Sequence, residues 1–528
     1  MKRRGFLQAM GAGAAALTAP NLAAAQGSRV LKFIPQSDLT VLDPIWTTAY
    51  VTRNHGFLVF DTLFGSDGKF AISPQMAESM TVENDGKLVR IKLRDGLKFH
   101  DGTPVLARDC AASIKRWGAR DPFGQTVIAV TDELSATDDK TIQFKLKKKF
   151  ALLPDALGKS ASNACFIMPE RLAMTDPFKQ VTEMVGSGPF KFKPDERVVG
   201  HLVVYERNAA YVPRATGASD WTAGPKIVHF DRVEWHVNPD GATAAAALQT
   251  GEVDWWENPT NDLLPLLRKA GATIAMPDPT GLIGCMRFNQ LQPPFDNPAM
   301  RRAIIGAVSQ QDFNDAIAGD DPALSRTGVG FFCPGTPYAS DAGLEPLKGK
   351  RDYDQVKRDL AAAGYKGEKI VFLAPSDINV LKMQGDIAGD MLKRAGLNVD
   401  VQVMDWGSVI GRRVNKGPID KGGWNIACTF WGGADHLNPA GHPFLRGNGE
   451  AGGVWGWPKS AKIEALRNSW FDAPDLAAAK AIAGELQRQA MLDVPYIPLG
   501  QVLGSTAYAK NITGVPSGFA MFWGVKKG

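Results

Sequence analysis

Residues 370–404 read as strand, helix, strand. The run Ile370-Val371-Phe372-Leu373-Ala374 is apolar throughout, Ile387, Met391, Leu392 and Ala395 then recur on one helix face, Gly396 ends the helix, and Val399, Val401 and Val403 alternate with polar neighbours. A β-α-β unit of this kind commits the chain to a sheet with a helix packed on its face, and here it carries no phosphate-binding glycine loop. A second block has a different character. Val89, Ile91 and Leu93 alternate with basic residues, Ile142, Phe144 and Leu146 do the same, and between them Thr103 is expected to cap a helix opened by Pro104 and continuing through Trp117. Further on, Asn297-Pro298 supplies a cap and first turn for a helix whose face is Met300, Ala303, Ile304, Ala307 and Val308. The fold class is therefore α/β in the mixed α+β sense. At 528 residues the chain exceeds what one core serves, so two or three domains are expected. No low-complexity linker, repeat or heptad marks a boundary, which points to interleaved domains that the chain crosses between more than once.

The amino terminus carries an address. Lys2-Arg3-Arg4-Gly5-Phe6-Leu7 precedes a weakly apolar run over residues 9–22 and then Ala23-Ala24-Ala25. A positive segment, a short apolar segment and an A-x-A site make a signal peptide over residues 1–25, since a membrane span needs about 20 apolar residues. The paired arginines resemble a twin-arginine export signal, which implies a soluble product in the bacterial periplasm. Basic and acidic residues number 60 and 55, too even a balance for a nucleic-acid footprint, so no nucleic-acid partner is expected. The five cysteines, Cys110, Cys165, Cys285, Cys333 and Cys428, are scattered without a C-x-x-C pair. Twin-arginine export would have the chain fold in the reducing cytoplasm, so a fold stable without disulfides is expected.

The motifs of catalysis are missing. The sequence has no H-E-x-x-H, no G-x-S-x-G and no P-loop, and residues 447–452 match G-x-G-x-x-G without a strand before or a helix after. His436 and His442 lie close in sequence beside Asp435, but Pro439 and Pro443 break the segment, so no helix face preorganises them as metal ligands. No cofactor is expected. The stretch Thr429-Phe430-Trp431-Gly432-Gly433-Ala434-Asp435-His436 remains to be explained: two aromatic rings, a glycine pair, a carboxylate and an imidazole.

Several strings, in order, resemble one family. They are Leu42-Asp43-Pro44, Pro74-Gln75-Met76-Ala77-Glu78-Ser79, Leu93-Arg94-Asp95-Gly96-Leu97-Lys98-Phe99-His100-Asp101-Gly102-Thr103-Pro104, Gly186-Ser187-Gly188-Pro189-Phe190, Leu248-Gln249-Thr250-Gly251-Glu252-Val253-Asp254 and Phe295-Asp296-Asn297-Pro298-Ala299-Met300-Arg301-Arg302-Ala303. Together they resemble the family 5 extracellular solute-binding proteins, the peptide/nickel/opine-type receptors of ABC importers. One motif departs, with Val105-Leu106-Ala107-Arg108-Asp109-Cys110 where the family has Thr-Ala-x-Asp-Val. The resemblance implies a two-lobed periplasmic-binding-protein clamshell with an extra α+β domain. Lobe I would comprise 28–58, 188–279 and 491–528, the extra domain 59–187, and lobe II 280–490, with crossings near Thr280 and Val494.

The resemblance also implies a site. Peptide-binding relatives carry a W-x-x-D string whose Asp pairs with the ligand's α-ammonium; Trp431 matches the Trp, while the carboxylate falls one position late, at Asp435. Trp406 matches an aromatic lining the cleft, and Arg413 a cation for a ligand carboxylate. Trp46, Thr48 and Tyr50 occupy the loop through which the first lobe touches ligand, and Phe123 sits where the extra domain reaches the pocket. These imply a receptor, expected to be a monomer, for a short peptide or peptide-like small molecule, delivering it to an ABC permease in the inner membrane. Two alternatives stand: a receptor for a metal chelate or opine-like compound, with His436 or His442 touching the complex, and a periplasmic hydrolase on the same scaffold.

Overall fold

A computed structural model describes residues 29–319, 321–452 and 454–528. The signal peptide read over residues 1–25 lies outside the described residues. Two sheets form two lobes. The first has seven strands, in the order Phe190–Phe192, Leu202–Arg207, Arg232–His236, Val30–Ile34, Trp255–Trp256, Thr506–Tyr508, Thr273–Ala275. Val30–Ile34 lies at its centre and runs parallel to both neighbours, while the other pairings are antiparallel.

The second sheet has six strands, in the order Ser325–Arg326, Tyr496–Val502, Leu282–Phe288, Ile426–Gly432, Lys369–Pro375, Asn398–Met404. Its parallel pair, Lys369–Pro375 with Asn398–Met404, and the crossover helix Asn379–Arg394 are the β-α-β unit of the sequence. Leu381, Ala388 and Leu392 face the sheet, and Gly396 follows the helix at φ +90°, a conformation open to a residue without Cβ. The crossing expected near Val494 comes later. Tyr496–Val502 pairs with Leu282–Phe288 in the second sheet, and the chain rejoins the first sheet only at Thr506–Tyr508. Residues 491–502 thus belong with lobe II. Val494, at φ +48°, reverses the chain between helix Leu476–Asp493 and that strand rather than between lobes.

A third, antiparallel sheet, in the order Ala77–Glu83, Leu88–Leu93, Thr141–Leu146, Thr131–Ala136, belongs to the extra domain. Helix Ala107–Gly118 packs on it with Cys110, Ile114 and Trp117 buried, the spacing of one helix face. Its start differs from the expectation at Thr103-Pro104. Thr103 bonds back to Asp101, Pro104 bridges to Lys98, and the helix begins at Ala107, where the Asp109 carboxylate accepts from Leu106 N at 2.8 Å. The expected Asn297 cap is present, accepting from Ala299 N at 2.9 Å.

Two buried ion pairs tie the parts together. Asp43 receives Nη1 and Nη2 of Arg116 at 3.1 and 2.7 Å, so a loop of the first lobe is clamped to the helix of the extra domain by a two-point contact. Val181 N, Ile45 N and Trp46 N complete the carboxylate's shell at 2.8, 3.0 and 3.3 Å. Lys226 likewise reaches Asp61 at 2.7 Å, with Tyr211 Oη on the same carboxylate at 2.9 Å. All five cysteines are free and buried. Two expectations result. Removing one partner of a buried pair strands the other, so Arg116→Met should cost on the order of 3–5 kcal/mol, read as an earlier transition of the extra domain in urea; an unchanged transition would contradict the clamp. The melting temperature should be the same with and without dithiothreitol, because no disulfide supports the fold.

Candidate functional site

The site lies between the lobes and is built from the loop that follows Val30–Ile34. Asp43 anchors that loop from one side. Asn163 grips it from the other, its Nδ2 donating to the carbonyls of Pro44, Ile45 and Thr47 at 3.3, 3.0 and 2.8 Å. Asn163 adopts φ +49°, a left-handed conformation that Asn tolerates better than most residues. Thr48 and Tyr50 are thereby held against the second lobe, while Trp46 stays at the rim with its Nε1 on Phe178 O at 3.1 Å.

Strand Ile426–Gly432 carries Trp431 to the same space, its ring edge-on to Tyr50 and Phe444 at centroid distances of 6.4 and 5.1 Å. Helix Trp406–Arg412 is capped by Asp405, which accepts from Ser408 N at 2.9 Å, and Trp406 N is held by Asp377 at 2.7 Å. Arg413 follows directly. Its guanidinium carbon lies 5.2 Å from the Trp406 ring centre and 4.9 Å from that of Trp455, a cation between two aromatic walls. Nη2 donates to Thr48 Oγ1 at 3.3 Å, Nε has no partner, and among the described residues no carboxylate lies within ion-pair distance. Burial lowers its pKa to about 9, so it stays charged at neutral pH. Trp431 Nε1 and Trp455 Nε1 are buried donors without partners too. A cation and several unpaired N–H groups enclosed by aromatic surface suit an acceptor, above all a planar carboxylate.

Asp435 is placed otherwise. It sits in the turn Gly433–His436 after the strand, 3% exposed, and its Oδ2 accepts from Tyr50 Oη at 2.6 Å. Its Oδ1 accepts from Ser162 Oγ at 2.7 Å and Ser162 N at 3.2 Å. Tyr50 Oη in turn accepts from Gly432 N. The hydroxyl's pKa is raised, by burial first and then by the charge of Asp435.

The enclosed space is divided. Thr48, Arg413 and Trp431 separate a cavity of about 60 Å³, shared with Tyr50, Trp406 and Leu282, from one of about 80 Å³ that reaches Trp46, Ser162 and Trp455. A third, of about 90 Å³, is lined by Phe123, Lys159 and Asp435. Outside them, through Gln36, Leu282, Ile378 and Val380, opens a chamber of about 500 Å³ with Asn258, Asn261 and Asp262 on its wall. Of the sequence-derived residues, Thr48, Tyr50, Trp406, Arg413 and Trp431 come together on the first cavity and Trp46 on the second. Phe123 and Asp435 share the third. Ser162 and Trp455 were not singled out by any motif: Ser162 lies in an unpatterned turn and Trp455 beyond the glycine-rich stretch, and only the fold brings them to the site.

Residues 71–452 match the family described as bacterial extracellular solute-binding proteins, family 5, middle region. The probable peptide ABC transporter periplasmic-binding protein y4tO of Sinorhizobium fredii is 35% identical, over 100% of this chain and 99% of its own. The chain belongs to solute-binding protein family 5. Family 5 architecture recurs in solved relatives. AgaA of A. tumefaciens R10, solved with agropinic acid, superposes with a TM-score of 0.78 at 21% identity, covering 94% of this chain and 99% of its own. A dipeptide-binding protein of Pseudoalteromonas sp. SM9913, solved with Met-Leu, gives 0.77 at 20%, covering 95% and 100%.

In this family 5 protein the two histidines of the sequence motif serve the core. His436 and His442 are fully buried and stack edge-on at 4.4 Å, and His442 Nε2 lies 2.7 Å from Phe331 O while its Nδ1 accepts from Phe444 N and Leu445 N. Neither lines the cavities described above, and among the described residues no cluster of His, Cys, Asp and Glu could hold a metal. Burial pushes His436 down to about 4 and His442, further opposed by the charge of His436, well below the usual 6.5. His55 and His100 fall to about 3 and about 4, again through burial. The unfolded chain takes up protons near 6.5 that the native chain refuses, so the stability these four groups contribute is present above that pH and is lost as pH falls toward 4. The melting temperature should hold between pH 8 and 7 and drop on titration from about 6.5 toward 4. A flat profile over that lower range would contradict the neutral, buried assignment.

Proposed function

We propose that this family 5 protein is the periplasmic receptor of an ABC importer. It captures a short peptide or peptide-like solute that bears a carboxylate, by closure of its two lobes, and delivers it to the inner-membrane permease as an exported monomer. It moves the solute without transforming it. The relatives support the transport reading: one is named a probable peptide transporter binding protein, and another was solved with a dipeptide.

The observation that carries the ligand chemistry is Arg413, a buried cation between Trp406 and Trp455 with no carboxylate among the described residues within ion-pair distance. A buried charge is costly until it is paired, and a ligand carboxylate would supply the partner only when bound, which couples affinity to that end of the solute. Thr48, Tyr50 and Trp431 form the surrounding wall, with Trp46 at the rim and Phe123 more remote. An opine-like acid, such as the agropinic acid bound by AgaA, offers the same group and is the second reading.

The test is calorimetric titration of the mature protein with di- to tetrapeptides and opine-like acids. Arg413→Ala should weaken binding by about 2 kcal/mol, roughly 30-fold in Kd, and Arg413→Lys by less, since an ammonium keeps the charge but not the fork. Unchanged affinity in Arg413→Ala would refute the assignment.

A further inference from the structure

The cleft carries its charges at opposite ends. Arg413, 6% exposed and with its Nε unpartnered, lines the inner cavity together with Trp406 and Trp431. Gln36, Leu282, Ile378 and Val380 belong both to that cavity and to the chamber of about 500 Å³, so the two form one continuous space. The chamber is acidic. Asp262, Asp315 and Asp377 line it, and none of its lining residues is Lys, Arg or His.

These carboxylates come from both lobes. Asp262 lies in the short helical turn Asn261–Leu263, which follows strand Trp255–Trp256 of the first sheet. Asp315 lies in helix Gln310–Ala318, packed on strand Tyr496–Val502 of the second sheet, and Asp377 follows strand Lys369–Pro375. The lobes touch beside the chamber, where Asn261 Nδ2 donates to Ile317 O at 3.2 Å. The acids have neutral partners only: Gln311 Nε2 donates to Asp315 at 2.6 Å and Trp406 N to Asp377 at 2.7 Å, and among the described residues none of the three is paired with a basic side chain. The cavity around Phe123 is different, since Asp155 and Asp435 share its wall with Lys159 and its charge is mixed.

We infer that the solute is two-ended, with a carboxylate on Arg413 and, further out, a cationic group in the acidic chamber: a lysine or arginine side chain of a peptide, or a comparable amine or guanidine. This rests on the receptor reading above and narrows its ligand class. Closing the lobes gathers carboxylates of both onto one chamber, where like charges partly shut off from water repel. A cation between them removes that repulsion and joins the lobes, so its charge favours closure as well as recognition. Trp256 and Met383 supply apolar wall for the methylene stem of such a side chain.

The experiment is calorimetric titration of the mature wild-type protein with the tripeptides X-Ala-Ala, where X is lysine, arginine, norleucine or glutamate, and with the C-terminal amide of the lysine peptide. Norleucine keeps the stem of lysine and lacks its charge. The lysine and arginine peptides should bind about fivefold more tightly than the norleucine peptide, the measure of one partly exposed ion pair, and the glutamate peptide most weakly. In the double variant Asp262→Asn, Asp315→Asn, whose changes fall on exposed side chains, the ratio of lysine to norleucine affinity should fall toward one. Norleucine binding as tightly as lysine in the wild-type protein, or a lysine preference that survives in the variant, overturns the inference and leaves the receptor reading intact. An amide that binds as well as its acid overturns the carboxylate end of the arrangement. A panel in which no member binds overturns the peptide reading and the inference with it.

Discussion

The clamp between Asp43 and Arg116 is the contact on which the site depends. It joins the Leu42-Asp43-Pro44 loop of the first lobe to the extra domain through two charge-assisted hydrogen bonds inside the core. Asn163 holds the same loop from beneath, and its neighbour Ser162 holds Asp435 of the second lobe. One short segment, residues 162–163, therefore fixes both walls of the cleft. The extra domain is the brace that sets where Thr48 and Tyr50 stand relative to Trp431. A buried ion pair adds little net stability compared with an apolar replacement, but it tolerates only one geometry, which is what a brace requires.

Much of this was legible in the sequence wherever a periodic pattern or an ordered motif existed. The β-α-β unit followed from apolar spacing, because a crossover helix must bury one face whatever its surroundings. Arg413, Trp406 and Trp431 were found through family motifs, and they do converge on one cavity. The strand Tyr496–Val502 was misplaced because all its residues are buried, so it carries no alternation, and membership of one sheet or another is decided by partners distant in the chain. The helix start at Ala107 was missed for a local reason: Thr103 spends its hydroxyl on Asp101, and Asp109 caps from inside the helix. Asp435 shows a third limit. Its identity was visible, but which donors surround a carboxylate depends on three segments folding against one another.

The two charges at the cleft follow opposite designs. Asp435 is surrounded by neutral donors and is at rest, while Arg413 keeps an unused Nε–H between two indoles. Low dielectric strengthens both interactions, and it makes the unpaired one the stronger source of discrimination between solutes. His436 and His442, next to this chemistry in sequence, contribute shape to the core instead.

The buried cysteines have a practical consequence. Cys110, Cys165, Cys285 and Cys428 lie in the core, and burial raises every one of their thiols, so they hold little of the thiolate that alkylating dyes attack. Cys333 is buried as well and is pushed up to about 12. The natural chain is thus a quiet background for maleimide chemistry. One cysteine introduced on the surface of each lobe would carry a donor and an acceptor fluorophore, and the opening of the receptor could be followed one molecule at a time without deleting any native residue.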